Sequence, residues 1–250
     1  MAEYLAGSES AFVEKMNLKA KELGMKNTNF MNTNGLDEDN HYSSAHDVGI
    51  MSRALLSYPK ITEYTSIWTD ELRDGKFQLA NTNKLVRFYA GANGLKTGST
   101  SQALCCLSAS AIRNDMQLIA VVLGAPTSDK RFSSARTLLD FGFANYKINN
   151  LIKANEKICD VNVINGTEKF VKAIAKEDKS MLSDKSNSKE IERHVFVEDV
   201  TAPIDKGTVL GYMEFLSDGK VIDKVDIVSM NSVEKKGVGH IIKDIVVGFM

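Results

Sequence analysis

Gly94-Leu95-Lys96-Thr97-Gly98-Ser99-Thr100 joins two unlike parts of the sequence. It stands between a polar run without periodicity, Gln78 to Asn93, and an apolar run, Ala103 to Ile112, that reads as a strand. A lysine, a hydroxyl and a glycine at the start of a strand suit a carboxylate. Lysine brings a point charge with three donors, and threonine adds a hydroxyl. Gly98 carries no Cβ, so a ligand can lie against the backbone there. A phosphate loop is the competing reading, but it needs glycine directly before the lysine, where Leu95 stands. An ordinary turn-to-strand junction is the other, and the stretch alone does not exclude it.

Downstream, Ala103 to Ile112 and Met116 to Gly124 are apolar runs joined by Arg113-Asn114-Asp115, the pattern of an antiparallel hairpin. Ser128 or Asp129 then caps a helix carrying Phe132, Ala135, Leu138, Leu139 and Phe143. From Ile148 the texture changes to short strand-like runs: Asp160 to Ile164, Phe170 to Ala175, His194 to Glu198, Thr208 to Phe215 and Lys220 to Val228. Asn165-Gly166 and Asp218-Gly219 mark turns between them, so a small all-β domain is expected. Lys176 to Lys189 reads as a solvated charged loop. Ser232 to Met250 returns to helical spacing, with Val238, Ile241, Ile242, Ile245 and Phe249 on one face. Such a helix suits either a membrane interface or docking on the β domain.

Upstream, Met1 to Gly7 reads as the last turns of a helix and its glycine stop. Ser8 caps the next helix, whose stripe of Phe12, Met16, Ala20 and Leu23 reads as core. Asn27 to Tyr42 is a long polar loop, the kind that is functional or mobile in a compact domain. Asp37, Glu38 and Asp39 lack the glycine and later glutamate of a calcium loop and read as a solvated turn. Ser44 and Asp47 form a capping-box-like pair ahead of Val48, Met51 and Leu55, and Pro59 ends that helix. A short helix over Lys60 to Tyr64 and a hairpin turn at Asp74-Gly75 follow.

The chain has 250 residues, 43% of them hydrophobic and 25% charged, which bounds it to one or two globular domains. A formal net charge of −1 offers nothing to nucleic acid. No apolar run has the length of a membrane span, and no signal peptide opens the chain. Cys105, Cys106 and Cys159 make no metal spacing and read as small core residues outside any disulfide framework. His41 and His46 find no third ligand nearby, and no metal or cofactor is implied.

The order of these features resembles the low-molecular-weight penicillin-binding proteins that act as D-alanyl-D-alanine carboxypeptidases. The likeness runs from Met1 to Met250. Its motifs are Glu22-Leu-Gly-Met-Lys-Asn-Thr28, Asn34-Gly-Leu-Asp37, His41-Tyr-Ser-Ser-Ala-His-Asp47, Ala80-Asn-Thr-Asn-Lys84 and Gly94 to Thr100. The resemblance implies an α+β fold: the C-terminal part of a penicillin-recognising, β-lactamase-like transpeptidase domain, with an antiparallel sheet and helices. A small all-β domain and a C-terminal amphipathic helix would follow, with divisions at residues 1–147, 148–231 and 232–250. It further implies a serine-type enzyme that trims peptidoglycan stem peptides through an acyl-enzyme and reacts with β-lactams. The tail helix would hold it on the outer face of the cytoplasmic membrane.

That family builds its site from Ser-x-x-Lys, Ser-x-Asn and Lys-Thr-Gly. Lys96, Thr97 and Gly98 match the third, and the resemblance implies that they hold the substrate carboxylate and line the scissile bond. Ser99 or Thr100 would add a hydroxyl, and Arg131 is a further candidate for the same anion. Neither other motif stands ahead of Lys96 in a suitable place. Ser57-Tyr58-Pro59-Lys60 fits the letters of the first, but its proline breaks the helix that must carry serine and lysine on one face. The resemblance therefore implies that Met1 is an internal methionine of a longer protein, and that these residues alone are inactive. The alternatives are a non-catalytic scaffold or binding protein of the cell envelope, and a β-lactamase, against which the β-rich second part and the tail argue. Asn29 and Asn93 flank the site where family members vary, which leaves substrate preference open.

Overall fold

Helix α1 (Ala2–Ala6) stops on Gly7, whose φ of 82° is the left-handed conformation that glycine adopts without strain. Helix α2 (Glu9–Glu22) follows, with the Ser8 side chain accepting from the Ala11 N–H. The computed structural model describes residues 1–187, 190–237 and 239. The chain divides into two units, Met1–Asn145 and Tyr146–Met250.

In the first unit, α3 (Ala45–Leu56) and α4 (Lys60–Thr65) are separated by Pro59. A hairpin of β1 (Thr69–Leu72) and β2 (Phe77–Ala80) turns through Arg73, Asp74 and Gly75, all at positive φ. The run Gln78 to Asn93 is more regular than its composition suggests. Besides β2 it contains a turn of helix, α5 (Leu85–Phe88), with Leu85 and Tyr89 buried. Next come β3 (Ala92–Thr100), β4 (Leu104–Arg113) and β5 (Met116–Ala125), which form an antiparallel sheet in that order. Asn114 and Asp115, both at positive φ, close the β4–β5 turn. Helix α6 (Ser128–Asn145) completes the unit. Its cap is Thr127, whose hydroxyl accepts from the Lys130 N–H, one residue earlier than expected.

Helices lie on both faces of this sheet. Phe132, Ala135 and Leu139 of α6 pack with Leu107, Ala109, Ala111 and Ala120, and with Leu85 and Tyr89. On the opposite face the Ser52 hydroxyl of α3 meets that of Ser108 at 2.7 Å. The buried residues of α3 are Asp47 and Ser52, while Met51 and Leu55 remain partly exposed, so its expected apolar face is not the face it buries. The capping pair is also different. Ser44 accepts from the Asp47 N–H, but the Asp47 carboxylate turns to the Asn27 N–H at 2.7 Å and the Thr28 hydroxyl at 2.8 Å. Of the stripe on α2 only Ala20 is buried, and Phe12, Met16 and Leu23 line an open groove with Met25, Phe30 and Met51.

The second unit begins with β6 (Tyr146–Ile152), β7 (Lys157–Ile164) and β8 (Phe170–Ala175). Strand β9 (Lys179–Asp184) pairs antiparallel with β6, so a ladder stands where a solvated loop was expected. Then follow β10 (Glu192–Val197), β11 (Val200–Thr201), β12 (Val209–Ser217) and β13 (Lys220–Ser229). A six-stranded sheet runs in the order β10-β12-β13-β8-β7-β11. Alternation puts Met213, Phe215, Val225 and Ile227 on its inner face, against Val161, Val171 and Leu151. Residues 232–237 run without helix: Val233 bridges Ile204 and Lys235 bridges Gly166. The amphipathic helix expected beyond them lies outside the described residues.

The architecture is α+β: an antiparallel sheet flanked by helices in one unit and an all-β second unit.

Candidate functional site

Strand β3 pairs with β4 alone among the described residues, so its other margin is free of ladder bonds. The register sets Lys96 opposite Ser108, Thr97 opposite Leu107 and Gly98 opposite Cys106. Directly opposed residues share a face. Lys96 and Gly98 therefore project on the side of α3, where Ser108 meets Ser52. Leu95 and Thr97 project on the side of α6 and its apolar cluster. Lys96, Gly98 and Ser99 are exposed, and Thr97 is buried at 8%.

The carbonyls of β3 collect side-chain donors. The Thr65 hydroxyl donates to the Asn93 carbonyl at 2.5 Å, and Asn83 Nδ2 donates to that of Gly94 at 2.8 Å. Lys96 Nζ donates to the Thr97 carbonyl at 2.6 Å, and Arg131 Nη1 to the Gly98 carbonyl at 3.2 Å. A backbone carbonyl has two lone pairs, so each can take such a donor beside a ladder bond or in place of one. These bonds also determine which part of the margin is open. Thr65 and Asn83 cover it at Asn93 and Gly94. A Cβ on Gly94 would stand 2.8 Å from the Thr65 hydroxyl, so glycine is required at that position. At Gly98 nothing stands within 4 Å of such a Cβ, and the strand surface there is clear.

The triplet Asn81-Thr82-Asn83 lies beside this margin. Asn81 Nδ2 donates to the Ile67 carbonyl at 2.9 Å, and its Oδ1 accepts from the Asn83 N–H. Asn83, only 1% exposed, holds β3 through Gly94 and accepts from the Leu85 N–H with its Oδ1. Between them the Thr82 hydroxyl meets that of Thr97 at 2.6 Å. Reading the sequence alone assigned no role to these side chains. The available signal was an asparagine two residues before a helical turn, the Asx arrangement that the Leu85 bond realises.

Arg131, 7% exposed, enters from the α6 side. Its Nη1 donates to both the Gly98 and Cys106 carbonyls, its Nη2 to the Ser128 hydroxyl, and its guanidinium lies 4.7 Å from the Phe132 ring centroid. Its Nε, also buried, has no partner among the described residues. The fold thus gathers Lys96, Gly98 and Thr100 on one face of β3, and Thr97 with Arg131 on the other.

Beyond Thr100 opens a groove of about 520 Å³ lined in part by Phe30, Leu36, Tyr42, Val48, Thr100 and Cys106. Asp37 stands in it as an anchor. Its carboxylate accepts from the Ser101 hydroxyl at 2.9 Å and the Gln102 N–H at 3.2 Å. Hydrogen bonding from Thr100, Ser101 and Gln102 outweighs its partial desolvation and holds the carboxyl below its ordinary pKa. Asp37 is therefore a tie between the long loop and the β3–β4 turn, where a merely solvated turn was expected. The cysteines differ from expectation too. All three are only partly buried, and Cys106 lines this groove. Ser57 and Lys60 fall on either side of the break between α3 and α4, so no continuous helix carries both.

Residues 1–127 match the D-alanyl-D-alanine carboxypeptidase family, and residues 146–235 match the C-terminal domain of penicillin-binding protein 5. The chain is 43% identical to the D-alanyl-D-alanine carboxypeptidase DacF of Bacillus subtilis (strain 168) over 95% of its own length and 62% of that protein's. Among solved structures it is similar to penicillin-binding protein 5 of Haemophilus influenzae, with TM-score 0.66 and 34% identity, over 94% of this chain and 69% of that one. It is also similar to penicillin-binding protein D2 of Listeria monocytogenes in a cefotaxime-bound form, with TM-score 0.53 and 36% identity, over 57% of this chain and 58% of that one. The chain spans about three fifths of the curated relatives it matches. The matched families, one on each unit, and the Lys-Thr-Gly strand between its helices agree: the chain belongs to the D-alanyl-D-alanine carboxypeptidase family.

Proposed function

We propose that this chain carries the substrate-holding part of a serine-type D-alanyl-D-alanine carboxypeptidase that trims peptidoglycan stem peptides at the extracytoplasmic face of the bacterial membrane. The observation that carries the proposal is the open margin of β3 at Lys96–Ser99, bounded at Gly94 by Asn83 and Thr65. A terminal carboxylate lying on that margin is reached by the Lys96 ammonium from one face and by the Thr97 hydroxyl from the other. Charge-assisted bonds of this kind are the strong ones. The peptide then runs along Gly98, where no side chain intervenes, towards Ser99 and Thr100. Arg131 acts on the anion through the strand whose Gly98 carbonyl it holds. A β-lactam carries a carboxylate in the equivalent position and takes the same place.

Acyl transfer in this family uses a serine and a lysine as nucleophile and base. Neither belongs to the segment around Ser57, so we assign both to sequence outside these 250 residues. The division we propose is a partial catalytic domain over residues 1–147, a β-rich domain over 148–231 and a membrane-surface tail over 232–250. Reversing the charges of Lys236 and Lys243 tests the tail: weaker binding to anionic vesicles is expected, and unchanged binding contradicts it.

The test of the site is titration of the labelled chain with N-acetyl-D-alanyl-D-alanine, followed by NMR. Perturbation centred on residues 96–100 is expected, and perturbation elsewhere or none contradicts the assignment. A second reading is a non-catalytic envelope-binding protein. It predicts the same binding but no turnover even when the chain is joined to the upstream part of a relative.

A further inference from the structure

We propose that Thr82 is a positioning residue that orders the proton of the Thr97 hydroxyl. The proposal rests on the reading of Lys96 and Thr97 as holders of a substrate carboxylate, and goes beyond it by assigning a role to the Asn81-Thr82-Asn83 triplet. The two hydroxyls are 2.6 Å apart, with Thr97 buried and Thr82 exposed. A threonine hydroxyl has a single proton and two lone pairs, whereas a carboxylate only accepts. For Thr97 to donate to the carboxylate, the proton shared in the pair must come from Thr82. The bond order is then Thr82 O–H to Thr97 O–H to carboxylate. Without the ligand either hydroxyl can donate in the pair. With it only Thr82 does, and the change needs rotation of two hydroxyl hydrogens with no movement of heavy atoms.

The scaffold around Thr82 suits this role. On one side Asn81 is held to the Ile67 carbonyl, and on the other Asn83 is held to Gly94 of β3 itself. Thr82 is thus fixed to the strand it serves by its immediate chain neighbour. Thr82 is otherwise exposed, so its remaining lone pairs are open to solvent donors. The Thr97 carbonyl is held separately by Lys96, so the backbone of Thr97 stays in place when the hydroxyl pair is disturbed.

The experiment compares the full chain with Thr82→Val and Thr82→Ser by NMR. Three-bond couplings to Thr97 Cγ2 report its χ1 rotamer, and titration with N-acetyl-D-alanyl-D-alanine reports affinity. A single Thr97 rotamer is expected in the parent chain and in Thr82→Ser. Averaged couplings are expected in Thr82→Val, with affinity lowered about three- to tenfold, the effect of one neutral hydrogen bond. Parent couplings and parent affinity in Thr82→Val would overturn the proposal. If the parent chain binds no peptide, the carboxylate reading falls, and the couplings alone decide whether Thr82 orients Thr97.

Discussion

The Thr82 and Thr97 hydroxyls meet at 2.6 Å across the open margin of β3. This contact joins two motifs separated by the helical turn α5, and it makes the Lys-Thr-Gly strand part of a wider polar assembly. Lys96 lies on the other face of the same strand, with its ammonium on the Thr97 carbonyl. Removing that charge should weaken the site more than removing a hydroxyl does. We expect Lys96→Ala to lower affinity for N-acetyl-D-alanyl-D-alanine by about 10- to 100-fold, as for a charged hydrogen bond worth about 1.5–3 kcal/mol. The unfolding transition should change little, because Lys96 is exposed. Calorimetric or NMR titration checks the first part and denaturant unfolding the second.

The glycines of β3 should respond oppositely to alanine. Gly94→Ala drives a Cβ to 2.8 Å from the Thr65 hydroxyl and 3.2 Å from that of Ser110, both within a hydrogen-bonded setting. Overpacking of this kind costs about 1–3 kcal/mol in denaturant unfolding. Gly98→Ala meets nothing within 4 Å and should leave stability within about 0.5 kcal/mol. Its Cβ would instead stand where the peptide lies, so peptide affinity should fall while the fold stays intact.

Asp47 makes the first unit sensitive to acid. Its side chain is 1% exposed, and burial alone would raise its pKa. The Thr28 hydroxyl, the Asn27 N–H and His46 outweigh that effect and hold the carboxyl below its ordinary value. A depressed carboxyl contributes stability that is complete above the unfolded pKa, about 3.9, and is lost as pH falls through the folded one. Asp47→Asn should therefore be less stable at neutral pH and should lose less on acidification. Thermal melts of both proteins from about pH 7 down to about pH 3 check this, and parallel curves would refute it.

In the second unit Phe215 is 0% exposed within the core of the six-stranded sheet. Phe215→Ala should cost about 3–5 kcal/mol there. The peptide-induced shifts at residues 96–100 should persist under conditions where the second unit is still folded, which NMR of the variant checks.

The sequence reading recovered elements whose signals are local. The Gly7 stop, the Ser8 cap, the β4–β5 hairpin and the Asp74-Gly75 turn each follow from a residue type matched to a backbone conformation. It failed where a partner distant in the chain decides. Asp47 has the spacing of a capping box, yet Asn27 and Thr28 claim its carboxylate. Lys179–Asp184 is polar enough to pass for a loop, and only pairing with β6 makes it a strand. Asp37 looked solvated because Ser101 and Gln102, its partners, lie far along the chain. At the site, Lys96, Thr97 and Gly98 were legible as a motif. Their distribution over two faces, and the presence of Thr82, came only with the ladder register and the fold of the preceding turn.

Titration of the isotope-labelled chain with N-acetyl-D-alanyl-D-alanine beside its L,L isomer asks whether the β3 margin holds a D,D peptide. Saturable shifts centred on the amides of Lys96 to Thr100 are expected with the D,D peptide, weaker ones with the L,L peptide, and their loss in Lys96→Ala. Equal responses to the two isomers, or shifts that survive Lys96→Ala unchanged, would contradict that assignment.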